Sequence, residues 1–574
     1  MGDYLKTIKL IEKKFFKKYI FINFLISLGS IFELLSIGLI IPLFYFLQNI
    51  ENNIFKINDF FGYDLIQDSF NRTNLILLII LLFLLIYLIK SIYLIFLYIY
   101  TKRFGINHEE FLAQNVYSNY VYSDFIESTH KDKSKTFRNI HEVAAHTSCL
   151  QAAFVINQEI LTFFFIFLSI FLIDPKIGLI LSFVSVFIVL FFYFFTKKRL
   201  KLLGERKREI DSQNFTNVLD ALGSLKEIKI FQKENFFVTE FRKLKIKILN
   251  NSFKSDFYSF YPRFIIEFLV LSAFVIYFVF MYVDLKDLDS VIPKIIFIIM
   301  AVFRILPGIN RIITNSQNLR KNSASIINIH KEKVKSKTIK LFIKDKNFVF
   351  NDSLKFNKVN FNYDNGKKVF KDINLKINKG EIVGIFGPSG SGKTTFINLC
   401  LGLIKPTDGE IIIDNKFDLF ENSFLWHKIL GFVPQRIFMK NDNITKNIAF
   451  AVENELIDEK KINNLIKLCN LHTLVENKEK GDHIFIGDDA AKISGGQAQR
   501  IGIARGLYKN PDFLILDEAT NNLDQKNEEE IMFRIKNFLK KEKKTAIISS
   551  HNLEILKKNC DYMLSFEDQT ITKF

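Results

Sequence analysis

Six long apolar stretches, near residues 19–48, 74–100, 152–173, 176–196, 257–283 and 288–316, constrain this chain more than any other feature. Each is long enough to cross about 30 Å of hydrocarbon as a helix. Backbone polar groups in lipid must pair within their own segment, so a helical transmembrane bundle of six spans is expected. The links set its topology. Residues 49–73 carry Glu51, Asp59, Asp64 and Asp68 against Lys56 and Arg72, and the links at Asp174-Pro175-Lys176 and Asp284–Asp289 are likewise not basic. Basic clusters stand at the opposite ends: Lys13, Lys14, Lys17 and Lys18 before the first span, and Lys197, Lys198, Arg199 and Lys201 after the fourth. The positive-inside rule then puts both termini in the cytoplasm.

Within this frame residues 1–18 read as a basic amphipathic helix. Residues 49–73 are long enough for a short helix on the outer membrane surface, with Ile54, Ile57, Phe60, Phe61 and Leu65 toward lipid. The inner links, 101–151 and 197–256, are charged and helical in pattern and extend the spans into the cytoplasm. Asp220-Ala221-Leu222-Gly223 is a reversal point expected to rest on the soluble half. The net charge of +18 is carried largely by lysines beside spans, and no nucleic-acid motif accompanies it, so no nucleic-acid partner is expected. Cys149, Cys400, Cys469 and Cys560 have neither metal nor redox spacing and read as reduced thiols. The first span is too long for a signal-peptide core, and Lys6 stands where a myristoylation signal needs Ser or Thr.

From about residue 346 the pattern changes to strands alternating with helices, an α/β arrangement. Its centre is Gly387-Pro388-Ser389-Gly390-Ser391-Gly392-Lys393-Thr394-Thr395, after the apolar run Ile382–Phe386 and before Phe396-Ile397-Asn398-Leu399. Strand, glycine turn and helix start make a P-loop, whose backbone N–H groups converge on phosphate at a helix N-terminus. Lys393 would reach the β- and γ-phosphates, and the Thr394 hydroxyl would ligate Mg²⁺. Downstream, Phe513-Leu514-Ile515-Leu516 runs into Asp517-Glu518. Asp517 at a strand tip suits Mg²⁺, and Glu518 suits polarising an attacking water.

Between these lies Ile493-Ser494-Gly495-Gly496-Gln497-Ala498-Gln499-Arg500. Here the chain resembles the ATP-binding cassette (ABC) family, whose signature is serine-glycine-glycine-glutamine. The resemblance covers essentially the whole chain. It implies an exporter-type helical transmembrane domain fused to a P-loop cassette: residues 1–320 transmembrane, 321–345 linker, 346–574 nucleotide-binding. Tyr363 matches the aromatic that stacks on adenine, Gln435 the glutamine that touches Mg²⁺, His551 the switch histidine at the γ-phosphate, and Asp524 the aspartate linking two active sites. Ser494, Gly495, Gly496 and Gln497 would meet ATP held by the P-loop of a second copy. Gly387, Ser389, Gly390, Ser391, Gly392, Thr394 and Thr395 would cradle the phosphates. A homodimer with two composite sites follows, and Glu518, His551, Gln435 and Lys393 would make both hydrolytic. Ile493 and Asn521-Asn522 depart from the family pattern at positions not expected to touch phosphate.

Charged residues inside spans are functional candidates. They are Glu33, Lys90, Arg263, Glu267, Arg304 and Arg311. In the topology above, Lys90 and Arg304 lie about 24 Å from the outer ends of their spans and Arg263 about 30 Å. Lys90, Arg263 and Arg304 at similar depth would form a basic girdle for an anionic lipid headgroup. The alternatives are snorkelling to the inner interface, and a local pair of Arg263 with Glu267 one turn away. Tyr261-Pro262-Arg263, Phe303-Arg304-Ile305-Leu306-Pro307 and Asn310–Thr314 resemble the fifth and sixth spans of bacterial lipid-linked oligosaccharide flippases. That resemblance implies ATP-driven flipping of a polyprenyl-pyrophosphate glycan to the outer leaflet of a bacterial inner membrane. The alternatives are export of another lipid (lipid A type), a drug or a peptide, and, remotely, a non-transport cassette ATPase.

Overall fold

Leucine, isoleucine and phenylalanine runs that pass without a break into charged sequence build helices much longer than a bilayer is thick. The computed structural model describes residues 2–38, 72–129, 133–173, 175–283, 288–334, 348–363, 366–475, 493–567 and 569–574. Residues 49–71, which include most of the expected outer surface helix, lie outside the described residues, as do Asp174, 284–287 and 335–347. Two compact units emerge, one within Met1–Ser123 and His130–Ile339, the other within Asp124–Thr129 and Lys340–Phe574.

The helices of the first part of the chain are α1 (Gly2–Lys9), α2 (Lys13–Gly38), α3 (Arg72–Val121), α4 (Phe125–Thr129), α5 (Lys133–His141), α6 (Val143–Ile173), α7 (Pro175–Gly223), α8 (Leu225–Ile230), α9 (Glu234–Val283), α10 (Leu288–Lys321) and α11 (Ser323–Val334). The expected single helix over 1–18 breaks between α1 and α2, because Leu10 and Ile11 turn into two different core clusters. α3 and α9, at 50 residues each, are about 75 Å long, so span and inner extension are one continuous rod. Pro262 lies inside α9 without ending it. Among the described residues, four stretches are long and apolar enough to cross a membrane: Lys13–Leu35, Ile80–Val121, Lys135–Leu172 and Gly178–Gly223. The fifth and sixth expected spans lie on α9 and α10. The helices pack through two main clusters. One joins Phe163, Ile166 and Ile170 of α6 to Phe192 of α7 and to Val302, Ile305 and Ile309 of α10. The other joins Phe15, Tyr19, Ile22 and Ile26 of α2 to Leu97 and Phe104 of α3 and Phe154 of α6. Leu81, Leu84, Phe183 and Phe187 face outward, as lipid-facing residues must. The stretch expected as linker begins instead with α11, whose Ile326 and Ile329 are buried beside Leu319.

In the second unit, β1 (Ser353–Asn362), β2 (Lys368–Asn378), β4 (Asp408–Ile413) and β5 (Phe417–Asp418) form an antiparallel sheet in the order β2-β1-β4-β5. The larger sheet has the order β10-β9-β3-β8-β7-β6, built from β3 (Ile382–Phe386), β6 (Leu430–Val433), β7 (Phe513–Asp517), β8 (Thr545–Ser549), β9 (Tyr562–Glu567) and β10 (Thr570–Lys573). Its strands are parallel except β10. Successive side chains of a strand face opposite sides, and both sides are buried here. Val383, Ile385, Phe513, Ile515 and Ile547 enter one cluster, while Ile382, Leu514, Leu516, Ala546 and Ile548 enter the other. The first cluster also takes Ile126 of α4 at its edge. The P-loop, Asp517-Glu518 and His551 follow the carboxyl ends of β3, β7 and β8, where open parallel sheets place their ligands, and Gln435 follows β6.

Candidate functional site

β3 delivers the chain to Gly387, and the turn ends where α12 (Lys393–Cys400) begins. Gly392 caps α12 with φ +104°, and a Cβ there would lie 2.9 Å from Phe370 and Val369, so only glycine fits. Lys393 is 9% exposed, and its ammonium donates to the carbonyls of Gly387 and Pro388. The Ser391 hydroxyl is buried without a hydrogen-bond partner among the described residues. A buried ammonium satisfied only by carbonyls, beside an orphaned hydroxyl at a helix N-terminus, can take a phosphate. The Thr395 hydroxyl is within 2.9 Å of the Tyr363 hydroxyl, and the Tyr363 ring meets Phe361 edge-on. Tyr363 thus stands against the P-loop helix.

β7 carries Asp517 opposite Ser549 of β8. Burial, with Glu518 beside it, pushes the Asp517 carboxyl up to about 6, and Lys393 pulls the other way. A carboxyl held in this state is relieved by a cation, and Mg²⁺ needs only one or two protein carboxylates when phosphates supply further oxygens. Glu518 is buried and takes the left-handed backbone conformation, φ +49°. Three side chains converge on it: Gln435 Nε2 donates to Oε2 at 2.6 Å, Asn521 Nδ2 donates to Oε2 at 2.8 Å, and His551 Nε2 stands 2.8 Å from Oε1. Gln435 Oε1 makes no hydrogen bond among the described residues.

Asn521, which departs from the family pattern at a position not expected to touch phosphate, touches the candidate base instead, a contact the sequence reading did not include.

Ser494 caps the 14-residue helix α13 (Gly495–Tyr508) in a capping box. Its hydroxyl accepts from Gln497 N–H at 3.2 Å, and Gln497 Oε1 accepts from Ser494 N–H at 2.8 Å. Gly496 leaves space for the Asn522 carbonyl, and Gln499 Oε1 accepts from the Asn522 N–H. Among the described residues no hydrogen bond joins Ser494, Gly495, Gly496 or Gln497 to the P-loop. Asp524 opens α14 (Gln525–Lys541), and hydrogen bonding from Asn527 holds its carboxyl below the usual range.

The helical unit does not gather Lys90, Arg263 and Arg304 into one ring of free cations. Arg263 pairs with Glu267 at 2.9 Å on the same helix. Arg304 reaches across to Glu33 of α2 and Glu159 of α6, while Arg311 also pairs with Glu159. Lys90 is buried and lies over the Tyr87 ring. Glu159 was missed by the sequence reading although an acid inside the third span was a visible signal.

Two family models match the chain: ABC transporter transmembrane region over residues 146–309, and ABC transporter over residues 370–521. The chain belongs to the ABC transporters. Among curated relatives, the ATP-dependent lipid A-core flippase of Ralstonia nicotianae is 34% identical over 38% of this chain and 37% of its own length. The flippase of the same description from Cupriavidus pinatubonensis is 26% identical over 73% of this chain and 70% of its own length. The chain thus spans little more than a third of the first relative. The solved structure of a bacterial Atm1-family ABC exporter with ATP bound superposes with a TM-score of 0.75, at 19% identity, over 95% of this chain and 94% of that one. The exporter-type architecture of helical membrane domain plus cassette is therefore the fold of this ABC transporter.

Proposed function

We propose that this ABC transporter is an ATPase that exports an anionic lipid from the cytoplasmic to the outer leaflet of a bacterial inner membrane, working as a homodimer with its cassettes and termini in the cytoplasm. One observation carries the reading. A buried Glu518, held by Gln435, Asn521 and His551 beside a P-loop, shares its chain with a helical unit that pairs Arg304 with two buried acids. Lys393 with Gly387, Ser389, Gly390, Ser391 and Gly392 would hold the ATP phosphates, and Tyr363 the adenine. Thr394, Gln435 and Asp517 would hold Mg²⁺, which neutralises phosphate charge when bound. Glu518 would orient and deprotonate water, with His551 at the γ-phosphate. Ser494, Gly496 and Asp524 would complete the site of the partner copy.

The relatives named lipid A-core flippase favour a lipid A-type cargo over the lipid-linked oligosaccharide implied by the resemblance of the fifth and sixth spans. The second reading keeps one support: Arg263 and Arg311, from those two span motifs, line a common cavity of about 640 Å³. Both cargoes present phosphate to arginine. The test is ATPase activity of the protein in phosphatidylcholine liposomes containing lipid A, a polyprenyl-pyrophosphate sugar, or a neutral glycolipid, with Glu518→Gln as blank. Stimulation by lipid A above the neutral lipid is expected. Stimulation by the polyprenyl-pyrophosphate sugar alone would transfer the conclusion to the second reading. Turnover indifferent to all three would end the anionic-lipid proposal.

A further inference from the structure

Glu159 has no part in the export reading as stated, yet it is the most buried acid of the helical unit's charge cluster, 2% exposed. Its two oxygens serve two different arginines of α10. Oε2 accepts from Arg304 Nη1 at 3.0 Å, and Oε1 lies 2.9 Å from Arg311 Nε. Arg304 and Arg311 are seven residues apart on one helix face, so a single carboxylate from α6 bridges two turns of α10. The helix is notched to admit it: a Cβ on Gly308 would lie 2.6 Å from Glu159 Oε2 and 2.5 Å from the Phe163 ring. Arg304 has a further acid, Glu33, whereas Arg311 has Glu159 and is half exposed.

Arg311 also borders two cavities of different character. One, of about 640 Å³, is largely apolar, with Phe260, Phe303 and Leu306 in its wall. The other, of about 690 Å³, is walled in part by the amides of Gln151, Gln158 and Asn315. Both volumes lie in the range of ligand sites. Each guanidinium gives Glu159 one nitrogen, and an oxyanion between two guanidiniums is an arrangement that a phosphoryl group also adopts. Removing the carboxylate would leave Arg304 with Glu33 alone and Arg311 without an acid among the described residues, facing the two cavities.

Building on the anionic-lipid reading, we propose that Glu159 is a positioning residue that stands in for the cargo's phosphate. It holds Arg304 and Arg311 in place while the cavities are empty and yields Arg311 to the phosphoryl group of a lipid lying across them. The carboxylate and the phosphate compete for one cation, which weakens cargo binding and returns the arginine to a partner on release.

The test is Glu159→Gln in the full chain, in phosphatidylcholine vesicles doped with lipid A. The expected result is a roughly tenfold lower lipid A fraction for half-maximal ATPase stimulation, about 1.4 kcal/mol, together with a lower maximal rate. Glu159→Asp should restore both toward wild type, and neutral glycolipid should show no shift. A protein of unchanged melting temperature and unshifted half-maximal fraction overturns the proposal. If lipid A fails to stimulate wild type, the cargo reading falls instead, and a second measurement decides the role of Glu159. With the P-loop silenced by Lys393→Ala, inorganic pyrophosphate should raise the melting temperature more in the Glu159→Gln protein than in its Glu159 parent; equal shifts overturn the stand-in role.

Discussion

The candidate base, Glu518, is met by side chains from three separate loops, and Asn521 is the one that the family pattern did not announce. Asn521→Ala removes one donor from a buried carboxylate, a loss of about 1 kcal/mol, so kcat for ATP should fall about fivefold with KM unchanged. An unchanged kcat would show that Gln435 and His551 suffice. Asp517 makes a pH prediction with a definite sign. A carboxyl raised from its ordinary 3.8 to about 6 keeps its proton in the folded chain where the unfolded chain has lost it. Stability of the nucleotide-free protein therefore falls as pH rises through that window. Magnesium needs the carboxylate form, so MgATP affinity should fall as pH drops through 6. Trp426, the chain's single tryptophan, donates to the Cys400 carbonyl at the end of α12 and gives a fluorescence readout. Asp517→Asn should flatten the pH dependence, and an equal slope in both proteins would remove Asp517 from the metal site.

At the scale of elements, the turn from β3 into α12 converts a buried strand into an anion site, and Gly392 is its tightest point. Gly392→Ala combines a left-handed φ with contact against Phe370 and Val369, a strain of about 1–3 kcal/mol. It should relieve that strain by tilting the first turn of α12. Urea unfolding should show a stability loss of that order, and MgATP titration should show binding lost by more than the stability change explains. Retained affinity would mean that the loop tolerates a side chain there. The sheet behind the turn resists such movement, because β3, β7 and β8 are buried on both faces.

For the whole molecule, the signature helix α13 makes no hydrogen bond to the P-loop of its own chain among the described residues, which the homodimer proposal explains. Mixing decides it. A Lys393→Ala chain and a Ser494→Arg chain should each fail to trap nucleotide with vanadate. Their mixture should recover about a quarter of the wild-type signal, since half the dimers formed at random carry one intact composite site. No recovery on mixing, with mixed dimers shown by cross-linking, would place both motifs in one chain's site.

The local features of the candidate nucleotide site were legible in the sequence, because each forms within a few residues: the glycine turn of Gly387–Thr395, the helix cap of Ser494–Gln497 and the strand end at Asp517-Glu518. The long helices were legible for a related reason, since burying apolar length in lipid leaves few alternatives to a helix. The partners of the charges were not legible. Arg263 found Glu267 one turn away, a pairing that sequence spacing could offer only as one alternative, while Arg304 found Glu33 and Glu159 on two other helices. Sequence alone determined the long helices and the local turns of the candidate nucleotide site, which depend on neighbours along the chain. Tertiary structure alone decided which acid met which arginine, and that Asn521 met Glu518, because those contacts join residues on different elements or fix the shape of a loop by what surrounds it.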